Sequence, residues 1–161
     1  MHNGMAHLTP PPSGVGQRDL DVTFLPPLLV VDDEVEARRI FLRFFQKMRL
    51  ANPVQFAADG EEALVYLADV EARRAAEPVL ILLDMKMPKK SGLDVLRFVR
   101  RTGLLAHLPV VMLTGSAEME EMTECYELGV VSYLIKPVGF AALSDVLLGL
   151  ELRRAFLPAS P

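Results

Sequence analysis

Residues 79–88 read V-L-I-L-L-D-M-K-M-P. Five apolar residues run without interruption into Asp84, and Pro88 comes soon after. A strand with one wet face alternates apolar and polar residues; a strand buried on both faces does not. The run is too short for a helix, so it reads as a strand covered on both sides. Such strands belong to parallel sheets, whose crossover helices lie over both faces.

Similar runs occur at residues 28–31, 54–57, 110–113 and 130–135. Helical stretches alternate with them. Over residues 34–49, Ala37, Ile40, Phe41, Phe44, Phe45 and Met48 form one stripe, with Arg38, Arg39, Arg43 and Lys47 facing away. A second helix opens at Asp59-Gly60-Glu61-Glu62, which resembles a capping box, and is expected to reach about Ala76. A third spans residues 91–101. A fourth begins after Ser116, carries Glu118, Glu120 and Glu121 where the helix dipole favours acids, and ends at Gly129. A fifth covers about 140–156. Five strands alternating with five helices predict an α/β sandwich around a parallel sheet.

The chain has 161 residues, about one domain's worth. Residues 1–24 are rich in Pro, Gly and polar residues and read as a flexible tail. His2 and His7 lie there without an acidic or cysteine neighbour to make a metal site. Residues 25–156 form the folded domain and 157–161 a fraying end. A net charge of −4 disfavours nucleic acid as a partner. The single cysteine, Cys125, excludes an internal disulfide. It reads as structural, because no nearby basic group would lower its pKa. No apolar run approaches the ~18 residues of a membrane span, and no secretory signal is present, so a cytoplasmic location is expected.

Polar residues gather just past the strands. Asp32 and Asp33 stand after the first strand, Asp84 after the third, Thr114 after the fourth, and Lys136-Pro137 after the fifth. In open α/β sheets, ligands bind beyond the carboxyl ends of the strands, where strand order reverses. Three carboxylates gathered there need a cation to stay ionised together. All-oxygen ligands suit Mg²⁺ better than zinc, and Mg²⁺ commonly completes its shell with water and a phosphate oxygen. A carboxylate can also act as a nucleophile and become an aspartyl phosphate. A Thr hydroxyl and a Lys ammonium would then hold the phosphoryl oxygens. Taken singly, each residue has an ordinary explanation. Asp32 or Asp33 could cap the first helix, with Asp33 and Glu36 at capping-box spacing, and Asp84, Thr114 and Lys136-Pro137 could be turn residues. It is their joint placement that points to a site.

The motifs VVDDE, LLDMKMP, MLTGS and YLIKP, in this order and at these strand ends, resemble the receiver domain of two-component response regulators. The resemblance covers about residues 28–152. The stretch 65–78, the PKKSG segment and the ELGVVSYLIKPV run look closest to single-domain regulators paired with bacterial phytochrome kinases. The resemblance implies a flavodoxin-like doubly wound (βα)5 three-layer sandwich with strand order 2-1-3-4-5. It implies that Asp84 is the phosphoacceptor. Asp33 and Asp84 would bind Mg²⁺ directly, Asp32 through water, and Lys86 through its backbone carbonyl. Thr114 and Lys136 would bind the phosphoryl group, Tyr133 would be the aromatic switch, and Lys136-Pro137 would be a cis peptide. Lys86 and Ser116 would border the entrance to the acyl phosphate and modulate its lifetime.

The implied partner is a sensor histidine kinase, of the bacterial phytochrome type, or a phosphotransfer protein. About ten residues remain after the fifth helix, so no effector domain is expected and output passes to a downstream protein. The last helix carries Ala141, Ala142, Leu143, Val146, Leu147, Leu148, Leu150, Leu152 and Phe156, with Leu157 just beyond. This is more apolar surface than one buried stripe uses, which predicts a homodimer through it. Two other readings remain open at this point: a degenerate receiver acting as an unphosphorylated adaptor, and a phosphatase with an aspartyl nucleophile. Such phosphatases usually carry an acid two residues after the nucleophile, where this chain has Lys86. The expectation is therefore a phosphoacceptor that is not an enzyme beyond its own phosphorylation and dephosphorylation.

Overall fold

The computed structural model describes residues 25–115 and 119–149. The elements alternate as β1 (Leu28–Val31), α1 (Val35–Lys47), β2 (Val54–Ala57), α2 (Gly60–Glu71), β3 (Leu80–Asp84), α3 (Gly92–Arg101), β4 (Val110–Thr114), α4 (Met119–Glu127), β5 (Ser132–Ile135) and α5 (Phe140–Gly149). The strands form one sheet of order β2-β1-β3-β4-β5. All four pairings are parallel. This is the doubly wound flavodoxin-like sandwich.

The uninterrupted apolar runs are explained by burial on both faces. Leu29, Val31, Ile81, Leu83, Val110 and Met112 join a core with residues of α2 and α3 and with Cys125. Leu28, Val30, Leu80, Leu82, Val111 and Leu113 point the other way, into a core with Phe41 and Phe45 of α1 and Leu143 and Leu147 of α5. Alternate side chains of each strand thus feed opposite layers.

Several boundaries differ from the sequence expectation. α2 stops at Glu71, not near Ala76. Arg73 adopts φ +60°, its N–H donates to the Val70 carbonyl at 3.0 Å, and the Arg74 N–H donates to the Asp69 carbonyl at 2.7 Å. This is a Schellman cap with arginine where glycine is usual. α1 ends the same way at Arg49, φ +57°. β5 starts at Ser132 rather than 130, and α1 at Val35. Ile40, expected in the buried stripe of α1, is 39% exposed. Among the described residues, no helix is long and apolar enough to cross a membrane. The tail 1–24 with its histidines, Ser116, the extension of the last helix to 156 and the end 157–161 lie outside the described residues.

Candidate functional site

Strand β1 pairs with β2 on one side and β3 on the other, so the order reverses between β1 and β3. Asp32 directly follows β1 and Asp84 ends β3, which puts both at this switch point. Asp32 and Asp84 are buried and Asp33 is exposed. One carboxylate oxygen from each of Asp32, Asp33 and Asp84 lies within 4.8 Å of the others.

Lys136 reaches across from the end of β5. Its Nζ stands 2.8 Å from Asp32 Oδ2 and 2.9 Å from Asp84 Oδ2. Asp84 Oδ1 accepts the Lys86 N–H at 3.3 Å. Asp32 Oδ1 accepts the Glu34 N–H at 2.9 Å, and its backbone carbonyl accepts from Arg38 Nη1 at 2.9 Å. Asp32 is therefore held rigid at the mouth of α1. The helix N-cap is Glu34, which makes no side-chain cap. The capping-box reading of Asp33 and Glu36 does not hold, and the Asp33 carboxylate joins the acidic cluster.

Burial raises the pKa of Asp84 to about 6; hydrogen bonding from Lys136 opposes that rise, and the Asp32 charge adds to it. Burial alone would lower the Lys136 pKa, but the two carboxylates outweigh burial and raise it. Two of the three clustered carboxylates, Asp32 and Asp84, share the Lys136 ammonium. The donors are all oxygen, which suits a hard divalent cation.

Thr114 is buried at the end of β4, opposite Ile135 of β5. The Lys136 N–H donates to the Thr114 carbonyl at 2.7 Å, tying the hydroxyl-bearing and ammonium-bearing strand ends together. The Lys136-Pro137 peptide is cis. Tyr133 lies under α4: its hydroxyl donates to the Met122 carbonyl at 3.2 Å, and its ring centroid is 5.2 Å from that of Tyr126. Asp32, Asp33, Asp84, Thr114, Lys86, Lys136 and Pro137 thus come from four strand ends to one edge. Tyr133 sits further back along β5.

Two glycines shape this edge and were not singled out from the sequence. A Cβ on Gly92 would fall 2.1 Å from the Asp84 carbonyl oxygen, and one on Gly60 would fall 2.2 Å from the Lys90 carbonyl oxygen. Both positions need glycine for close backbone approach. Ser91-Gly92 and Asp59-Gly60 each pair a helix cap with a glycine at the first helical position, which is the signal that could have found them.

The family model for the response regulator receiver domain matches residues 28–148. The curated response regulator Rcp1 of Synechocystis sp. is 31% identical over 141 residues, covering 84% of this chain and 96% of its own. The manganese-bound structure of Rcp1 superposes with a TM-score of 0.68 at 28% identity, covering 84% of this chain and 99% of that one. The bacteriophytochrome response regulator RtBRR gives a TM-score of 0.70 at 39% identity, over 79% of this chain and 78% of that one. A second bacteriophytochrome response regulator, AtBRR, gives 0.69 at 38% identity, over 84% and 97%. The switch-point carboxylates, the lysine across from them and the matched length of chain agree: this protein belongs to the response regulator receiver domain family of two-component systems.

Proposed function

We propose that the chain accepts a phosphoryl group on Asp84 from a histidine kinase and passes the signal on through a changed surface. One observation carries this reading: a buried carboxylate at the switch point, hydrogen-bonded to Lys136 and flanked by two further carboxylates. In the reaction, an Asp84 oxygen attacks the phosphorus of a phosphohistidine. The P–N bond breaks, its electron pair leaves with the imidazole, and an acyl phosphate forms.

Asp33, Asp84 and the Lys86 carbonyl would hold Mg²⁺, with Asp32 contributing through water. The manganese-bound Rcp1 structure supports a divalent cation in a relative. The ion supplies neutralisation of charge on the phosphoryl oxygens. Lys136, already on Asp84, offers the transferred group an ammonium. Thr114 offers a hydroxyl, and its displacement toward the phosphoryl group would pull on β5 through the Lys136 N–H. Tyr133 couples that movement to α4 through the Met122 carbonyl. Lys86, two residues after Asp84, and Ser116, two residues after Thr114, would set the lifetime of the phosphorylated state.

A groove of about 400 Å³ beside the site is lined by Ile40, Phe41, Pro137 and Val138. Exposed Val35, Ile40 and Leu42 extend its apolar character along α1. This surface suits the docking of a kinase or phosphotransfer protein, and the likeness to RtBRR and AtBRR favours a bacterial phytochrome kinase. Exposed Tyr126, Val131, Ile135 and Leu148 on and beside α4, β5 and α5 support these elements as the output face and as the surface of a homodimer. Lys86, two residues after Asp84, offers no carboxyl as a general acid, which favours a phosphoacceptor over a phosphate-ester hydrolase.

Incubation with acetyl phosphate and Mg²⁺ should add the mass of one phosphoryl group, and Asp84→Asn should abolish the gain. No gain in the wild type would favour an adaptor that works unphosphorylated.

A further inference from the structure

We propose that Lys89 is a positioning residue for the metal: by bridging Asp59 and Glu61 it fixes the loop between β3 and α3, and with it the Lys86 carbonyl. This deepens the reading of Asp84 as a Mg²⁺-dependent phosphoacceptor and rests on it. The loop leaves the site at Asp84 and must return to α3. Its ends are anchored by backbone bonds, Met85 N–H to the Leu113 carbonyl at 2.8 Å and Gly92 N–H to the Met85 carbonyl at 3.0 Å. The stretch between carries Lys86 and turns at Lys89, whose φ is +68°. A lysine in the left-handed region is strained, and such conformations persist where the surroundings determine them.

Those surroundings are the start of α2. Lys89 Nζ lies 3.4 Å from Asp59 Oδ2 and 3.3 Å from Glu61 Oε2. Asp59 divides its two oxygens, since Oδ1 caps α2 by accepting the Glu62 N–H at 2.8 Å. Next to the bridge, the Lys90 carbonyl rests against Gly60 so closely that a Cβ there would lie 2.2 Å away. The loop is therefore seated on α2 by charge on one residue and by backbone contact on the next. Pro88 has a fixed φ, so few soft torsions separate Lys89 from Lys86. A loop that swivels at Lys89 moves the Lys86 carbonyl relative to Asp33 and Asp84.

The test uses the full chain and two readouts. Amide hydrogen exchange of residues 86–90 in the metal-free protein reports the clamp itself, and calorimetric Mg²⁺ titration reports its consequence. Lys89→Asn keeps a residue that tolerates a left-handed φ but removes the charge; Lys89→Arg keeps the charge. Lys89→Asn should speed exchange at 86–90, leave β1 and β3 amides unchanged, and weaken Mg²⁺ binding about threefold, the scale of an exposed ion pair. Lys89→Arg should stay close to wild type on both. Unchanged exchange and affinity in Lys89→Asn would overturn the proposal, as would equal losses in Lys89→Arg. A wild type that binds no Mg²⁺ would overturn the reading of the site itself, and exchange would still show whether the bridge holds the loop.

Discussion

Asp84 stands under opposing demands. It is buried beside Asp32, which favours its neutral form, while Lys136 favours its charge. Its pKa rises from 3.8 to about 6 in the folded, metal-free protein. The folded state therefore holds this proton more tightly than the unfolded chain does. Its contribution to stability is greatest below pH 4 and is lost as pH rises through 6. Asp84→Asn removes that dependence. Its stability advantage over the wild type should widen between pH 4 and pH 6, by an amount on the order of 3 kcal/mol, and then level off; urea unfolding at a series of pH values checks this. Mg²⁺ should narrow the gap above pH 6 by binding the wild type more tightly than the variant. Asp33→Ala should weaken Mg²⁺ binding in a calorimetric titration and raise metal-free stability by relieving carboxylate repulsion. At this scale the strand-end residues were legible, because a carboxylate after an uninterrupted apolar run has few neighbours to explain it. The competing roles of Asp33 were not separable from sequence. Its spacing to Glu36 suits a cap, and only the backbone path through Glu34 shows that no such cap forms.

Elements were legible wherever their ends carry the residue that chemistry prefers. Gly129 marks the end of α4 and takes φ +70°. Arg49 and Arg73 do the same work for α1 and α2 with no sequence signal, which is why α2 was expected to run five residues further. An arginine in this conformation carries a steric cost that glycine lacks. Arg73→Gly should therefore raise stability by about 0.5–1 kcal/mol, read as a higher urea midpoint with an unchanged slope. Arg100 of α3 holds the opposite end of the molecule. It donates to the carbonyls of Leu128 at 2.6 Å and Gly129 at 3.1 Å, just beyond α4, and to those of Ala106 at 3.1 Å and Leu108 at 2.8 Å before β4. Two of these acceptors lie where α4 terminates, and a cation there also suits the helix dipole. Arg100→Met should cost about 2 kcal/mol in the same measurement, because it strips several carbonyls of their donor at once.

Across the whole molecule, the order of the sheet does the functional work. Because β1 sits between β2 and β3, two acidic strand ends become neighbours although 52 positions separate Asp32 and Asp84 in the chain. Strands buried on both faces announce a parallel sheet in the sequence. The order 2-1-3-4-5 came from the family resemblance, and the pairing of each strand bears it out. Surface use is less legible, because an exposed Ile135 or Leu148 looks in sequence like any core residue. If α4, β5 and α5 form a homodimer face, Ile135→Asp and Leu148→Asp should shift the protein toward monomer in sedimentation at micromolar concentration, while Val65→Asp on exposed α2 should not.

In the proposed reaction, chemistry happens on one carboxylate, that of Asp84. Borohydride reduction of the protein after treatment with acetyl phosphate and Mg²⁺ converts an aspartyl phosphate to homoserine, and peptide sequencing by mass spectrometry locates it. Homoserine at position 84 and at no other aspartate is the expected result. Homoserine at position 32 or 33, or none at all, would contradict it.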